Sequence, residues 1–87
     1  MNNLKLYAIY DRCAMQFQPP FAAVNDAVAI RMFATNCKHP EVSAIAGDLD
    51  LYYVGEIDYS TGEITPAEGK PVFLHRLTLQ EVNDNGE

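Results

Sequence analysis

The 87-residue sequence has few of the residue types from which small enzymes build active sites. It contains two Ser, two His and two Cys, and none lies in a nucleophile motif such as Gly-x-Ser-x-Gly. The five glycines do not cluster into a phosphate-binding loop, and neither cysteine belongs to a Cys-x-x-Cys pair. A hydrolase triad, a nucleotide-binding loop and a disulfide framework therefore have no support. We predict a protein that is not an enzyme, holds no cofactor and keeps two reduced thiols.

Patterns that could ligate a metal are incomplete. Cys37 and His39 could supply two ligands, but a structural zinc site needs four. Paired carboxylates at 48 and 50, and at 56 and 58, have a simpler interpretation as solvated turn and edge charges. The segment 58–63 resembles a calcium loop, but its glycine comes one place early. We predict no metal site.

Long hydrophobic runs are also missing. No segment approaches the roughly 18 to 20 consecutive apolar residues of a membrane span, and residues 1–5 lack a basic region followed by an apolar one. We therefore expect no membrane association and a cytoplasmic location.

What the chain does have is the composition of a folded domain. Apolar residues make up 48% of it, and five Tyr and four Phe supply large side chains for a core. The length predicts a single domain over residues 1–79, with a flexible tail at 80–87. Because a chain this short buries only about 60 to 65% of its unfolded surface, we expect a homo-oligomer, with a dimer favoured.

Several short segments have the composition of β-strands. Residues 4–10 are apolar on both alternating faces, which predicts a central strand covered at least partly on both sides. Residues 11–20 are predicted to be a loop, since Pro19 and Pro20 interrupt regular structure, and residues 21–23 a short edge strand. Residues 51–57 predict a second long strand followed by a hairpin turn at 58–63, and residues 72–77 a last strand.

One helix is clear in the sequence. Asn25 is a good N-cap, Asp26 suits the positive end of the helix dipole, and residues 27–34 have strong helical propensity. The predicted apolar stripe consists of Ala29, Ile30, Phe33, Ala34 and Cys37. A second short helical turn is predicted at 40–46, ended by Gly47.

These elements predict an α+β fold, a small and mainly antiparallel sheet with one main helix packed on one face. The opposite face of the sheet would then carry apolar and aromatic groups. We expect these to be Tyr7, Ile9, Tyr52 and Val54, and such a patch usually marks a partner.

Charge is distributed unevenly along the chain. Twelve Asp and Glu against six Lys and Arg give a net charge of −6, which argues against wholesale binding to nucleic acid or to an anionic membrane. Residues 39–69 contain seven acidic residues and no Lys or Arg, whereas residues 1–38 have a net charge of +2. The acidic segment 41–68 would repel duplex DNA or contact a basic partner.

If the first and last strands are neighbours, basic and aromatic side chains share one surface. That combination holds single-stranded nucleic acid through phosphate contacts and base stacking. The candidate residues are Lys5, Tyr7, Tyr10, Arg12, Arg31, Tyr52 and Arg76. From the residues alone, packing of the tyrosines in the core or in a dimer interface is the simpler interpretation.

Five segments resemble one known family. They are LYAIYD at 6–11, PPFA at 19–22, NDAVAIR at 25–31, DLYYVGEID at 50–58 and TGEI at 61–64. Together they resemble the small nonstructural protein of gokushoviruses, single-stranded DNA phages of the Microviridae, over about residues 4 to 65.

The resemblance implies a non-capsid phage protein made in the bacterial cytoplasm and described as DNA-binding, acting in genome replication or packaging. It supplies no catalytic residues. Two hypotheses follow. The first is a homo-oligomer that contacts single-stranded DNA. The second is a protein-interaction adaptor that binds no nucleic acid, forms a dimer through the aromatic face of the sheet and contacts a phage or host protein through the acidic segment 41–68.

Overall fold

Two long antiparallel strands form the centre of the molecule. In the computed structural model, which describes residues 2–77, β1 spans Asn3–Asp11 and β4 spans Leu49–Asp58. They pair along their whole length, from Asn3 opposite Asp58 to Asp11 opposite Leu49. Strands predicted at 4–10 and 51–57 are therefore confirmed, and each is slightly longer than predicted.

Shorter strands complete an antiparallel sheet on either side of this pair. Strands β2 (Gln16–Phe17) and β3 (Phe21–Ala23) pair with β1, whereas β5 (Glu63–Pro66) and β6 (Val72–Arg76) pair with β4. Each short strand covers only part of its neighbour, so the six strands form a sheet about four strands wide. The predicted α+β class with a mainly antiparallel sheet is confirmed.

The main helix, α1, spans Asp26–Asn36 and covers one face of the sheet. The Asn25 side chain accepts a hydrogen bond from the Val28 backbone N–H at 2.9 Å, as expected of an N-cap. Ala29, Phe33 and Cys37 are buried against the sheet, and Ile30 and Ala34 are half-buried beside them. The predicted stripe is confirmed.

The segment after α1 differs from its prediction. Residues 40–46 were expected to form one helical turn ended by Gly47, but α2 spans only Pro40–Ser43. A separate 3-10 turn spans Ala46–Asp48 and includes Gly47. Proline at the first turn starts α2 without requiring an N–H donor, but four residues give it few internal hydrogen bonds.

The loop predicted at 11–20 is also interrupted. Asp11 accepts hydrogen bonds from the backbone N–H groups of Cys13 and Ala14, at 2.9 and 3.1 Å, and thus reverses the chain direction. The returning residues pair with the end of β1 as strand β2, with Phe17 opposite Tyr10. A two-residue strand next to a Pro-Pro pair is too short for its composition to indicate it.

A β-bulge in β4 determines which side chains share a face. Tyr53 lies opposite Tyr7 and Gly55 opposite Leu6, so Val54 has no partner on β1. The alternation of faces therefore reverses along β4, because a bulge adds one residue to one strand. Unbroken alternation would place Ile57 beside Leu51 and Tyr53, but Ile57 pairs with Leu4 on the other face.

The expectation that Tyr7 and Ile9 lie opposite the helix is wrong. Both are buried, at 0% and 7% exposure, in the core that Phe33 of α1 and Leu49 and Leu51 of β4 complete. Alternation along a strand predicts two sets of side chains but not which set the helix covers, and here the helix covers the set that contains Tyr7.

The described residues, 2–77, contain no helix long and apolar enough to cross a membrane. The tail predicted at 80–87 lies outside the described residues.

Candidate nucleic-acid interface

Four aromatic rings cluster on the face of the sheet that points away from α1. Tyr10 and Phe17 have ring centroids 4.8 Å apart, Phe17 and Tyr52 5.3 Å, and Tyr52 and Phe73 5.8 Å. The rings meet edge to face or tilted, with interplanar angles between 60° and 81°. We call this surface the aromatic face. It consists of these four rings and of the charged residues at their border, Arg12, Asp50, Lys70 and Arg76.

The strand register places these rings together. Tyr10 lies opposite Phe17 in the β1–β2 pair, and Tyr52 lies opposite Phe73 in the β4–β6 pair. Directly opposed residues point to the same face of an antiparallel sheet. The two outer rings are accessible, since Phe17 is 42% and Phe73 is 48% exposed.

A carboxylate and two arginines form one end of the aromatic face. Arg76 binds Asp50 in a bidentate manner, with Nε 2.7 Å from Oδ1 and Nη2 3.0 Å from Oδ2. Arg12 adds a third contact, with Nε 3.2 Å from Oδ2, and donates a hydrogen bond to the Gly47 carbonyl. The carboxylate of Asp50 raises the pKa of Arg76 above its ordinary value, chiefly through these hydrogen bonds. The Arg76 guanidinium therefore remains charged.

A shallow cavity lies at the other side of the rings. It has a volume of about 300 Å³ and is lined by Tyr10, Phe17, Tyr52, Lys70 and Pro71. Lys70 is exposed and precedes β6, so its ammonium group has access to the same surface. The aromatic face thus combines exposed ring surface with three cationic side chains, the two ingredients of a nucleobase and phosphate site.

Four of the seven candidate residues meet on this face, namely Tyr10, Arg12, Tyr52 and Arg76. Three do not. Lys5 projects to the helix side, where its Nζ lies 5.7 Å from the Tyr53 ring centroid. Arg31 is exposed on α1.

Tyr7 must be removed from the candidate site. Its side chain is 0% exposed, and its hydroxyl donates a hydrogen bond of 2.6 Å to Asp26 Oδ1. A ring without accessible surface cannot stack on a base.

Four residues of the aromatic face were not among the candidates. Phe17 fell in a segment predicted to be a loop, and Lys70 precedes the predicted last strand. Phe73 was in a predicted strand, but simple alternation places it on the opposite face from Arg76, and only an irregularity in the β4–β6 register brings both to one face. Asp50 was interpreted as a solvated carboxylate paired with Asp48 and as one acidic residue of the segment 41–68.

The acidic segment 41–68 does not form one continuous surface. Asp50 is 2% exposed and paired with two arginines, whereas Glu56 lies opposite Lys5 on the helix side. Asp58 is engaged in the turn before β5, where it accepts hydrogen bonds from the Ser60 backbone and hydroxyl groups at 3.0 and 2.7 Å. The hydrogen bonds from Ser60 lower the pKa of Asp58.

The two thiols are free and differ in environment. Cys13 is exposed in the β1–β2 turn, whereas Cys37 is buried behind α1. Burial raises the pKa of the Cys37 thiol to about 11, which keeps it protonated and unreactive at neutral pH. Among residues 2–77, no group of three or more His, Cys, Asp or Glu side chains converges on a point that could hold a metal ion.

Comparison with known protein families supports a phage protein. The family model described as Phage ORF5 protein matches residues 4–80, most of the chain. The chain belongs to the Phage ORF5 protein family. No curated protein and no solved structure matches this sequence.

The matched part of this Phage ORF5 protein contains the whole aromatic face. Both arginines, Asp50, Lys70 and the four rings all lie between residues 4 and 80. The face is thus built from the family domain and not from a segment outside it.

Proposed function

We propose that this phage protein binds single-stranded DNA on its aromatic face. The observation that carries the proposal is the cluster of four rings, two of them about half exposed, beside Arg12, Lys70 and Arg76. Unpaired bases would stack on the rings while the cations contact phosphates. Stacking contributes about 1–3 kcal/mol per base and tolerates any sequence.

The charges support a preference for single strands over duplex DNA. A net charge of −6 repels a densely charged duplex, and paired bases cannot offer their faces to Phe17 and Phe73. A flexible strand can place a few bases on the rings while the rest of the chain stays away from acidic residues.

In this proposal the protein is a nonstructural protein of gokushovirus-like phages and acts in the host bacterial cytoplasm during genome replication or packaging. The resemblance of residues 4–65 to that group supports the assignment. Condensation of the genome is not part of the proposal, because it would require many more cations than this chain carries.

Fluorescence anisotropy of a labelled strand of about 20 nucleotides, titrated at low and moderate salt, tests the proposal. We expect saturable binding that weakens as salt rises and exceeds binding to a duplex of the same sequence. Duplex and RNA strands serve as controls. Absence of binding at tens of micromolar protein in low salt would refute it.

A protein-interaction role without DNA is the alternative proposal, in which the protein is a homodimer. It is favoured by the same exposed Phe17 and Phe73, because exposed aromatic rings are typical of protein interfaces. Light scattering on the purified protein distinguishes the two roles. The alternative would be favoured by a stable dimer that binds no DNA. It also requires that the double variant Phe17→Ser, Phe73→Ser is a monomer.

A further inference from the structure

Two arginines on the proposed DNA-binding surface are paired with one buried carboxylate, which reduces the positive charge available to DNA. Asp50 is 2% exposed, and it neutralises one of the few positive charges on the aromatic face. The Arg12 and Arg76 side chains nevertheless stay 38% and 53% exposed. The carboxylate therefore fixes the guanidinium groups without burying them.

Hydrogen-bonding capacity remains on both arginines. Each guanidinium carries five N–H donors in a rigid plane. Arg76 uses Nε and Nη2 on Asp50, whereas Arg12 uses Nε on Asp50 and Nη2 on the Gly47 carbonyl. The further N–H groups of each plane can serve an anion that approaches from solvent.

The two guanidinium groups are also close to one another. Arg12 Nε lies 3.2 Å and Arg76 Nη2 lies 3.0 Å from the same oxygen, Asp50 Oδ2. These two nitrogen atoms are therefore at most about 6 Å apart, which brings the two guanidinium groups close enough for one tetrahedral phosphate to accept hydrogen bonds from the remaining N–H groups of both.

Charge balance favours one phosphodiester. Two guanidinium groups and one carboxylate leave a net charge of about +1, which matches a single phosphodiester anion. The Arg76 guanidinium carbon lies 5.7 Å from the Phe73 ring centroid, so a phosphate held here places its adjoining base next to the exposed ring.

We propose that Arg12 and Arg76, oriented by Asp50, act as one unit that binds a single phosphodiester of the DNA strand. The proposal rests on the proposed function and adds to it where the strand is anchored. Asp50 is a positioning residue, since it contacts the arginines and not the DNA. Lys70, on the other side of the rings, contacts a different phosphate independently.

The salt dependence of DNA affinity counts phosphates and so tests the shared contact. For single strands, each phosphate contact adds about 0.7 to the slope of log affinity against log salt. We expect Arg12→Gln and Arg76→Gln each to lower the slope by about 0.7, and both together to lower it no further. The variant in which both arginines are replaced also contains Asp50→Asn, because Asp50 would otherwise be a buried carboxylate without a cationic partner.

Two controls sharpen this measurement. Lys70→Gln should lower the slope by about 0.7 and should add fully to Arg76→Gln, because it acts on another phosphate. Thermal denaturation of each variant verifies folding. A loss of about 1.4 when both arginines are replaced would mean two separate phosphates, and unchanged slopes in the single variants would mean no phosphate contact. Either result overturns the proposal.

A second measurement uses the wild-type protein and no DNA. Dimethyl phosphate, a phosphodiester without a base, is titrated into ¹⁵N-labelled protein while the arginine Nε–Hε signals are observed by NMR. We expect the Arg12 and Arg76 signals to shift along one binding curve while the exposed Arg31 on α1 does not respond. A response of one arginine alone, of all three alike, or of none overturns the shared site.

The two measurements separate the proposal from the function on which it rests. Shared shifts of Arg12 and Arg76 in a protein that binds no strand would support the phosphodiester site and refute DNA binding. Binding of the DNA strand without a shift of either arginine signal would support DNA binding and refute the phosphodiester site.

Discussion

Tyr7 illustrates how a polar ring can belong to the core. It is the largest fully buried side chain of β1, its ring lies 5.9 Å from those of Phe21 and Tyr53, and its hydroxyl donates to Asp26 in the first turn of α1. This hydrogen bond links the central strand to the start of the helix. Burial, followed by the bond to Asp26, raises the pKa of Tyr7 above its ordinary value.

Tyr7→Phe should lower the free energy of unfolding by about 1–2 kcal/mol, because it removes a hydrogen bond to a carboxylate while the ring remains. Urea denaturation at neutral pH measures the difference. Tyr59→Phe is the matched control, because the Tyr59 side chain is 60% exposed. Equal stability of Tyr7→Phe and wild type would show that the hydroxyl contributes nothing.

The same bond predicts a dependence on alkaline pH. Since the pKa is raised in the folded state, the stabilisation is complete below the unfolded tyrosine value of about 10 and is lost as pH rises beyond it. Tyr7→Phe should lose less stability than wild type above that value.

At this scale the sequence identified the right residue types but not their surroundings. Tyr10, Tyr52 and Tyr7 have the same chemistry and similar neighbours along the chain, yet two lie on the aromatic face and one is buried. Tyrosine suits both environments, because its ring is apolar and its hydroxyl needs one partner. Alternation places Tyr7 and Tyr10 on opposite faces of β1, but only the position of α1 determines which face is buried.

Among the elements, β4 depends on a glycine. Gly55 follows the bulge and pairs with Leu6 on one side and Pro66 on the other. A Cβ atom at this position would lie 2.5 Å from the backbone oxygen of Thr65, closer than real contacts allow. The close approach of β5 to β4 therefore requires glycine.

Gly55→Ala should destabilise the protein by about 1–3 kcal/mol, because neither strand can move away without breaking the ladder. Gly47→Ala is the control, since a Cβ there meets nothing within 4 Å. Thermal denaturation compares the two. If Gly55→Ala were as stable as Gly47→Ala, β5 would not be held against β4 as described.

The long elements were predictable, whereas the short ones were predicted only in part. Both central strands, the 21–23 edge strand, the last strand and α1 followed from composition, alternation and the Asn25 cap. Strand β2 was missed because two residues carry no periodic pattern, and the faces of β4 were misassigned beyond Tyr53 because a one-residue bulge exchanges inner and outer positions.

Across the whole molecule, the candidate site is assembled from residues far apart in the chain. Strands β1, β2, β4 and β6 each supply one of the four rings, and Asp50 meets Arg12 and Arg76 from either side. Two of the site's three cations, Arg12 and Arg76, and two of its four rings, Tyr10 and Tyr52, were predicted from the sequence. Sequence analysis could not find Phe17, Phe73 or the role of Asp50, since these depend on the register between strands.

The overall charge and the local face make opposite contributions to DNA binding. The chain carries −6 in total, but the aromatic face has three cations beside exposed rings. Affinity should therefore come mainly from stacking, with a small electrostatic contribution. This predicts weak salt dependence compared with proteins that bind DNA through many phosphate contacts.

The central claim is that the exposed rings of the aromatic face bind single-stranded DNA, and substitution of those rings tests it most directly. The measurement compares the strand affinity of Phe17→Ser, Phe73→Ser and Tyr59→Ser with that of wild type at one salt concentration. Tyr59 is the matched control, because it is 60% exposed and lies in the turn between β4 and β5.

We predict that each phenylalanine variant binds at least about fivefold more weakly, the effect of losing a stacked base worth about 1 kcal/mol or more, while Tyr59→Ser binds like wild type. Wild-type affinity in both phenylalanine variants, or an equal loss in Tyr59→Ser, would contradict the account.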